Sequence, residues 1–309
     1  MQIANHTIQF SKRSLLALLI LCCTSIAVKC QSYYFRHYQV ENGLSNNTVF
    51  CCVQDKNGFL WMGTKDGLNR FDGYTFKTFR NDADDSLSIG DNFIRSLYID
   101  AHDVLYAGTR NGLYRYNATM ENFTGVYSAS SEVRDIKKDD QGNLWFVSGQ
   151  TLIQLNEDKK SVQLYKPEDY FNATSICIGA DKNVWVATAN GLLQKYDPTK
   201  NSFTAYKVFS ENQRPTSKWI EKIYATNQNS ILVGTSNYGV KLFSLKDFSC
   251  KDLLTYNADN TSIFARDFIQ NTDTEFWIAT ESGVFIYNTL TGKFTNFKKK
   301  FIDPYSISD

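Results

Sequence analysis

The sequence predicts an all-β fold made of tandem four-stranded units. Three observations predict it. Large residues recur in register at Trp61, Tyr106, Trp145, Trp185, Leu232 and Trp277, at steps of 45, 39, 40, 47 and 45 residues. Turn-forming residues cut each unit into four short apolar runs. The composition, with 22 Phe, 18 Tyr and 5 Trp but only 4 Pro in 309 residues, suits many short half-buried strands better than helices.

The first unit shows the pattern: NGFLWMGTKDGLNRFDGYTFKTF at residues 57–79. Thr48 to Gln54 reads as its first strand and Phe59 to Thr64 as the second. Leu68 to Phe71 is the third and Tyr74 to Phe79 the fourth. The turn before the third strand ends in Gly67, and glycine returns there as Gly112, Gly191, Gly239 and Gly283. A tight turn often needs φ > 0, which glycine supplies without steric cost. The third unit has Thr151 at this position, so its blade is expected to be irregular. Asp55, Asp100 and Asp139 open the turn between the first two strands, where a carboxylate can bond the backbone two residues on.

A single sheet of this kind cannot bury both faces. Sheets stacked around an axis can, and a period of this length is that of a propeller blade. The expected fold is a β-propeller with six repeats, approximately 46–90, 91–130, 131–171, 172–216, 217–262 and 263–308, with the large residues as inter-blade core. Residues 31–45 are expected to supply a closing strand, because YYFRHY at Tyr33 to Tyr38 resembles the fourth-strand pieces FKTF, FTAY and FTNF. A seventh unit would begin near residue 309. The register therefore predicts an incomplete seven-bladed propeller, a fragment of a longer protein or a truncated product, with two inter-blade faces uncovered.

Residues 1–30 read as a secretory leader. Lys12 and Arg13 are followed by an apolar run from Leu15 to Ile26, short for a membrane span, with cleavage expected at Cys30–Gln31. A lipid-modified Cys30 or a membrane anchor are the alternatives. Cleavage would leave 30 basic and 32 acidic residues, a balance that predicts no field for nucleic acid. Cys51, Cys52, Cys177 and Cys250 have no disulfide or metal spacing and read as buried apolar thiols.

The string GLSNNTVFCCVQDKNGFLWMGTKDGLNRFDG at residues 43–73 resembles the regulator-propeller repeats of bacterial hybrid two-component sensors. The resemblance implies a periplasmic ligand-sensing propeller. Its partners would be a second propeller and a histidine kinase of the same full-length protein, and its cue an oligosaccharide from complex glycans. No kinase motif occurs in the 309 residues, so phosphotransfer would reside elsewhere. A homodimer is compatible with the sequence.

Strand order places the start of each first strand and the second turn at one face, the mouth. The turns offer Lys65, Asp66, Arg110, Asn111, Asn190, Asn237, Tyr238, Glu281 and Ser282 to sugar hydroxyls, although turns are polar in any case. Five residues before the first turn, the six units carry Phe50, Arg95, Arg134, Thr174, Glu221 and Arg266. Three guanidinium groups at one address could bind an anionic or hydroxylated group. Pairing with Glu221, Asp91 or Asp135 is the commoner fate of such arginines. Beyond the leader only His37 and His102 remain, and neither sits in a triad, metal or Cys/His pattern. No cofactor motif occurs. Two carboxylates can still meet through a fold, so a secreted enzyme acting on polysaccharide is the alternative to a sensor, and a protein-interaction propeller the third reading.

Overall fold

Each repeat folds as one antiparallel sheet whose four strands follow in chain order, giving six four-stranded blades in a ring. The structure is a computed structural model that describes residues 33–165 and 171–307. The expected leader, with its cleavage point, lies outside these residues. Apart from a 3-10 turn at Val40–Asn42, the regular structure of the described residues is all strand.

The first strands line the axis. They are Val49–Gln54, Ile94–Ile99, Val133–Lys138, Ala173–Ile178, Ile220–Ala225 and Ala265–Thr272, and each packs on the next in that order. The step from the sixth back to the first lacks this packing. The apolar core is divided in the same way. Five buried clusters fill the five successive inter-blade spaces, and among the described residues none joins blade six to blade one.

The recurring large residues do the inter-blade packing. Trp61 meets Tyr116 of the second blade at 4.8 Å between ring centroids. Trp145 meets Tyr196 of the fourth at 5.1 Å, and Trp185 meets Phe243 of the fifth at 5.4 Å. Trp61, Tyr106, Trp145, Trp185 and Leu232 are each at most 2% exposed. Trp277 of the last blade is only half-buried, and Ile269, paired with it in register, is 63% exposed. The exception follows from position, since among the described residues no buried cluster lies on that face of blade six.

The turn aspartates reach these tryptophans. Asp55 accepts the Asn57 and Phe59 amides, and its second oxygen accepts Trp61 Nε1 at 2.8 Å. Asp139 does the same for Trp145 at 2.7 Å. Where Gly179 replaces the aspartate, Asp181 accepts Trp185 Nε1 at 3.2 Å. At the other turn, Thr64, Thr109, Thr235 and Thr280 donate their hydroxyls to Gly67, Gly112, Gly239 and Gly283 carbonyls at 2.8–3.0 Å. Of the recurring turn glycines, Gly112 alone lacks a positive φ. There a Cβ would stand 2.6 Å from the Tyr127 carbonyl, so closeness rather than φ demands glycine.

Two expectations are corrected. The third blade is not irregular: Ser148 pairs with Thr151 across a two-residue turn whose first member, Gly149, takes φ 60. Its glycine has moved two places toward the N-terminus. Residues 33–39 form no strand. Instead Tyr38 packs on Phe71 at 4.7 Å and Phe76 at 5.8 Å, side chains of the first blade's row that points away from Trp61. His37 Nε2 lies 2.8 Å from the Ser306 carbonyl, which ties the two ends of the ring together.

Unequal coverage has a measurable consequence. Trp185→Ala should cost about 3–5 kcal/mol, the range for a fully buried aromatic, whereas Trp277→Ala should cost about half of that or less. Urea midpoints of the two variants check this, and equal losses would show that the last blade is covered like the others.

Candidate functional site

The six positions five residues before the first turn share a backbone feature. In every blade the register between the first two strands slips at this point. Val49 pairs with Thr64 and Cys51 with Gly63, leaving Phe50 as the extra residue. Arg95, Arg134, Thr174, Glu221 and Arg266 are the extra residues of the other five. A β-bulge bends the strand and re-aims one side chain. Six bulges at one level of the ring therefore present six side chains together at the start of the axial strands.

The charged members of this set form an arc of alternating sign. Glu132 takes Arg95 Nε at 4.0 Å with one oxygen and approaches Arg134 Nε at 2.8 Å with the other. The Arg134 guanidinium lies 5.9 Å from the Trp219 ring centroid. Trp219 Nε1 donates to Glu221 Oε2 at 2.9 Å, and Glu221 Oε1 pairs with Arg266 at 3.5 Å. Arg266 also donates to Glu281 at 2.5 Å and lies over Phe264 at 3.7 Å. At the opposite end Arg95 lies over Phe50 at 5.3 Å, and Phe50 packs on Phe93 at 4.8 Å. Thr174 Oγ1 and Arg134 Nε are buried, and no hydrogen bond is made to either; the Arg134–Glu132 approach is close but badly aligned.

Of the residues expected from the sequence, the arginines and Glu281 meet in this arc, and Arg110 joins its edge over Phe93 at 4.7 Å. Asp66 pairs instead with Arg80 at 3.1 Å. Asn111 and Asn190 accept the hydroxyls of Thr109 and Thr188, and Tyr238 packs on Phe209 at 5.9 Å. Asn111 and Asn190 thus hold their own turns, and Tyr238 packs across to blade four. Lys65 bonds through its amide to Thr48. Glu132 and Trp219 were not anticipated. Both precede the bulged residue by two, an address that also holds Phe93 and Phe264.

One layer deeper, the residues after the bulges stitch the axis. Ser96 Oγ donates to the Val133 carbonyl at 2.8 Å. Asp135, 4% exposed, accepts Ser175 Oγ at 2.8 Å and the Ile176 amide at 3.2 Å, and pairs with Lys222 at 3.2 Å and Lys137 at 3.3 Å. Burial alone would raise the Asp135 pKa. The two lysines and the donors outweigh it and hold the carboxyl well below the usual range. The same pairing raises Lys222 against the opposing effect of burial.

A cavity of about 450 Å³ also opens between the outer strands of blades two and three, beside the Arg115–Glu157 pair at 2.7 Å. None of the expected residues lines it. The wedge between two sheets widens outward, whereas the mouth is built by a feature repeated in all six blades. Burial pushes the Cys51 thiol up to about 12, away from thiolate chemistry. Cys52 is exposed, contrary to the expectation of buried thiols. Among the described residues, no group of three or more His, Cys, Asp or Glu is placed to hold a metal, and no helix is long and apolar enough to cross a membrane.

The fold is a β-propeller, and residues 43–66 match the family model described as Two component regulator propeller. A stretch of 67 residues, 21% of the chain, is 48% identical to Histidine kinase P4 of Formosa agariphila, of which it spans 5%. The extracellular domain of the hybrid two component system BT3049 from B. thetaiotaomicron superposes with TM-score 0.73 at 25% identity over 90% of this chain and 38% of that one. The corresponding domain of BT4673 gives 0.76 at 18% identity, over 89% of this chain and 36% of that one. The chain thus spans little more than a third of these solved domains. Virginiamycin B lyase from Staphylococcus aureus, at 10% identity, 82% of this chain and 85% of that one, and TM-score 0.66, shares the fold alone.

The axial carboxylate sets a pH dependence. A carboxyl held below its unfolded value contributes stability that is fully present above about pH 4 and is lost as pH falls through the folded value. Asp135→Asn strands Lys222 and Lys137 and should cost about 3–5 kcal/mol at neutral pH. The gap to the unmutated protein should narrow by about 1 kcal/mol between pH 5 and pH 3. Urea unfolding at the two pH values checks this; a gap that does not change with pH would contradict it.

Proposed function

We propose that this chain is the extracytoplasmic sensory propeller of a hybrid two-component system. It binds a glycan-derived oligosaccharide at the mouth and passes the signal to kinase regions outside the 309 residues. The six bulges at equivalent positions of the axial strands carry this reading, because their extra residues bring polar and aromatic side chains from every blade to the same level. Sugar recognition needs that combination: planar hydrogen-bonding groups for hydroxyls and aromatic faces for the apolar side of the ring. The regulator-propeller match, and the extracellular placement of the solved relatives, support the sensory role and export by residues 1–30. The relatives' greater length supports a larger parent protein.

The test is calorimetry of the purified protein against glycan fragments, with chromatography of the same mixtures. A sensor binds a fragment and leaves it unchanged. Arg134→Ala should weaken that binding by about 1–3 kcal/mol, the usual range for a hydrogen bond to a charged group. Release of shorter products would make the protein an enzyme. Unchanged affinity in Arg95→Ala, Arg134→Ala and Arg266→Ala would remove the mouth as the site.

A further inference from the structure

We infer that the mouth takes an uncharged, hydroxyl-rich sugar ring in preference to uronates or sulfated sugars, with Trp219 as its stacking platform. The inference rests on the sensory reading above and concerns the same site. Three arginines at one level suggest an anion site when seen as sequence. Their neighbours remove that possibility. Arg95 and Arg134 share Glu132, and Arg266 is held between Glu221 and Glu281. Each of these three arginines thus has a carboxylate within 4.0 Å, so Glu132, Glu221 and Glu281 balance them, while Arg110 lies at the arc's edge over Phe93. An anionic ligand approaching any guanidinium meets a carboxylate at a similar distance, and attraction and repulsion largely cancel.

A neutral diol meets no such penalty. A guanidinium has five N–H donors and a carboxylate about four acceptor sites, so each pair retains capacity for both halves of a hydroxyl. The buried Thr174 Oγ1, to which no hydrogen bond is made, adds polar capacity in the same sector. Trp219 links the two halves of the arc, since Arg134 lies over its ring and its Nε1 is fixed by Glu221. It is half-buried, unlike the 0–2% exposed tryptophans of blades one, three and four, and it belongs to none of the inter-blade clusters.

The experiment is calorimetry of the intact protein with two hexasaccharide sets. One is neutral (malto-, xylo-, manno- and laminari-series); the other is anionic (oligogalacturonate and chondroitin sulfate). Titrations at about 50 and about 500 mM salt separate charge from contact. The expected result is binding of a neutral member with affinity unchanged within about twofold by salt. Trp219→Ala should weaken it about tenfold, with Trp219→Phe retaining most of it. Glu132→Gln should release Arg95 and Arg134 and raise binding of an anionic member about tenfold over the unmutated protein. Binding confined to the anionic set, and weakening with salt, overturns the inference while leaving the glycan reading standing. Neutral binding that survives Trp219→Ala overturns the platform, and no gain in Glu132→Gln overturns the charge balance. No binding to either set overturns the glycan reading and this inference with it.

Discussion

A four-stranded blade has two apolar faces, and only other blades can cover both. This constraint organises the whole chain. It explains why one large residue per repeat sits in the second strand, why Trp145 and Trp185 are at most 1% exposed while meeting rings of the following blade, and why Tyr106 is buried in the cluster between blades two and three. It also explains the unequal ends. Among the described residues no buried cluster follows blade six, where Trp277 is half-buried and Ile269 exposed, and on blade one Tyr38 is drawn over Phe71 and Phe76. Apolar area left in water forgoes about 25 cal/mol per Å², so half-covered faces are weak points of the ring.

The same innermost strands serve two purposes at different heights. Below the bulge they are locked to one another by Ser96, Asp135, Ser175 and Lys222, whose bonds run from blade to blade around the axis. At the bulge the strand gives up one ladder position, and the displaced residue leaves the ladder. Packing and the proposed recognition are therefore separated by a single residue step. A set such as Phe50, Arg95, Thr174 and Glu221 can differ from blade to blade while Val49, Ile94, Ala173 and Ile220, one position earlier, stay apolar.

Much of this was readable from the residues. The period, the turn aspartates and glycines, and the inter-blade role of the tryptophans all follow from local chemistry that repeats. The address of Phe50 to Arg266 was readable too, as a position in a count. That this address is a bulge was not, because a bulge is a relation between two strands and leaves no mark on one. Glu132 escaped for a similar reason: it aligns with Thr48, Asn172 and the aromatic Phe93, Trp219 and Phe264, none of which is acidic. Two of the pairs, Arg95–Glu132 and Arg266–Glu221, cross between blades, so sequence distance says little about them. Pairing was anticipated with Glu221, and the structure places it on Arg266; for Arg95 and Arg134 the partner is Glu132 rather than Asp91 or Asp135. The third blade's glycine was missed because a two-residue turn can carry its positive φ at a different step.

The central claim is that recognition occurs at the bulged level of the axial strands. Amide hydrogen exchange, with and without a bound oligosaccharide, tests it most directly, because it reports position without altering any residue. Slower exchange on binding is expected in segments 93–96, 132–135, 172–175, 219–222 and 264–267, with the outer strands unchanged. Slowing confined to the cavity between blades two and three, around Arg115, Val126, Glu157 and Val162, would contradict it and move the site to the rim.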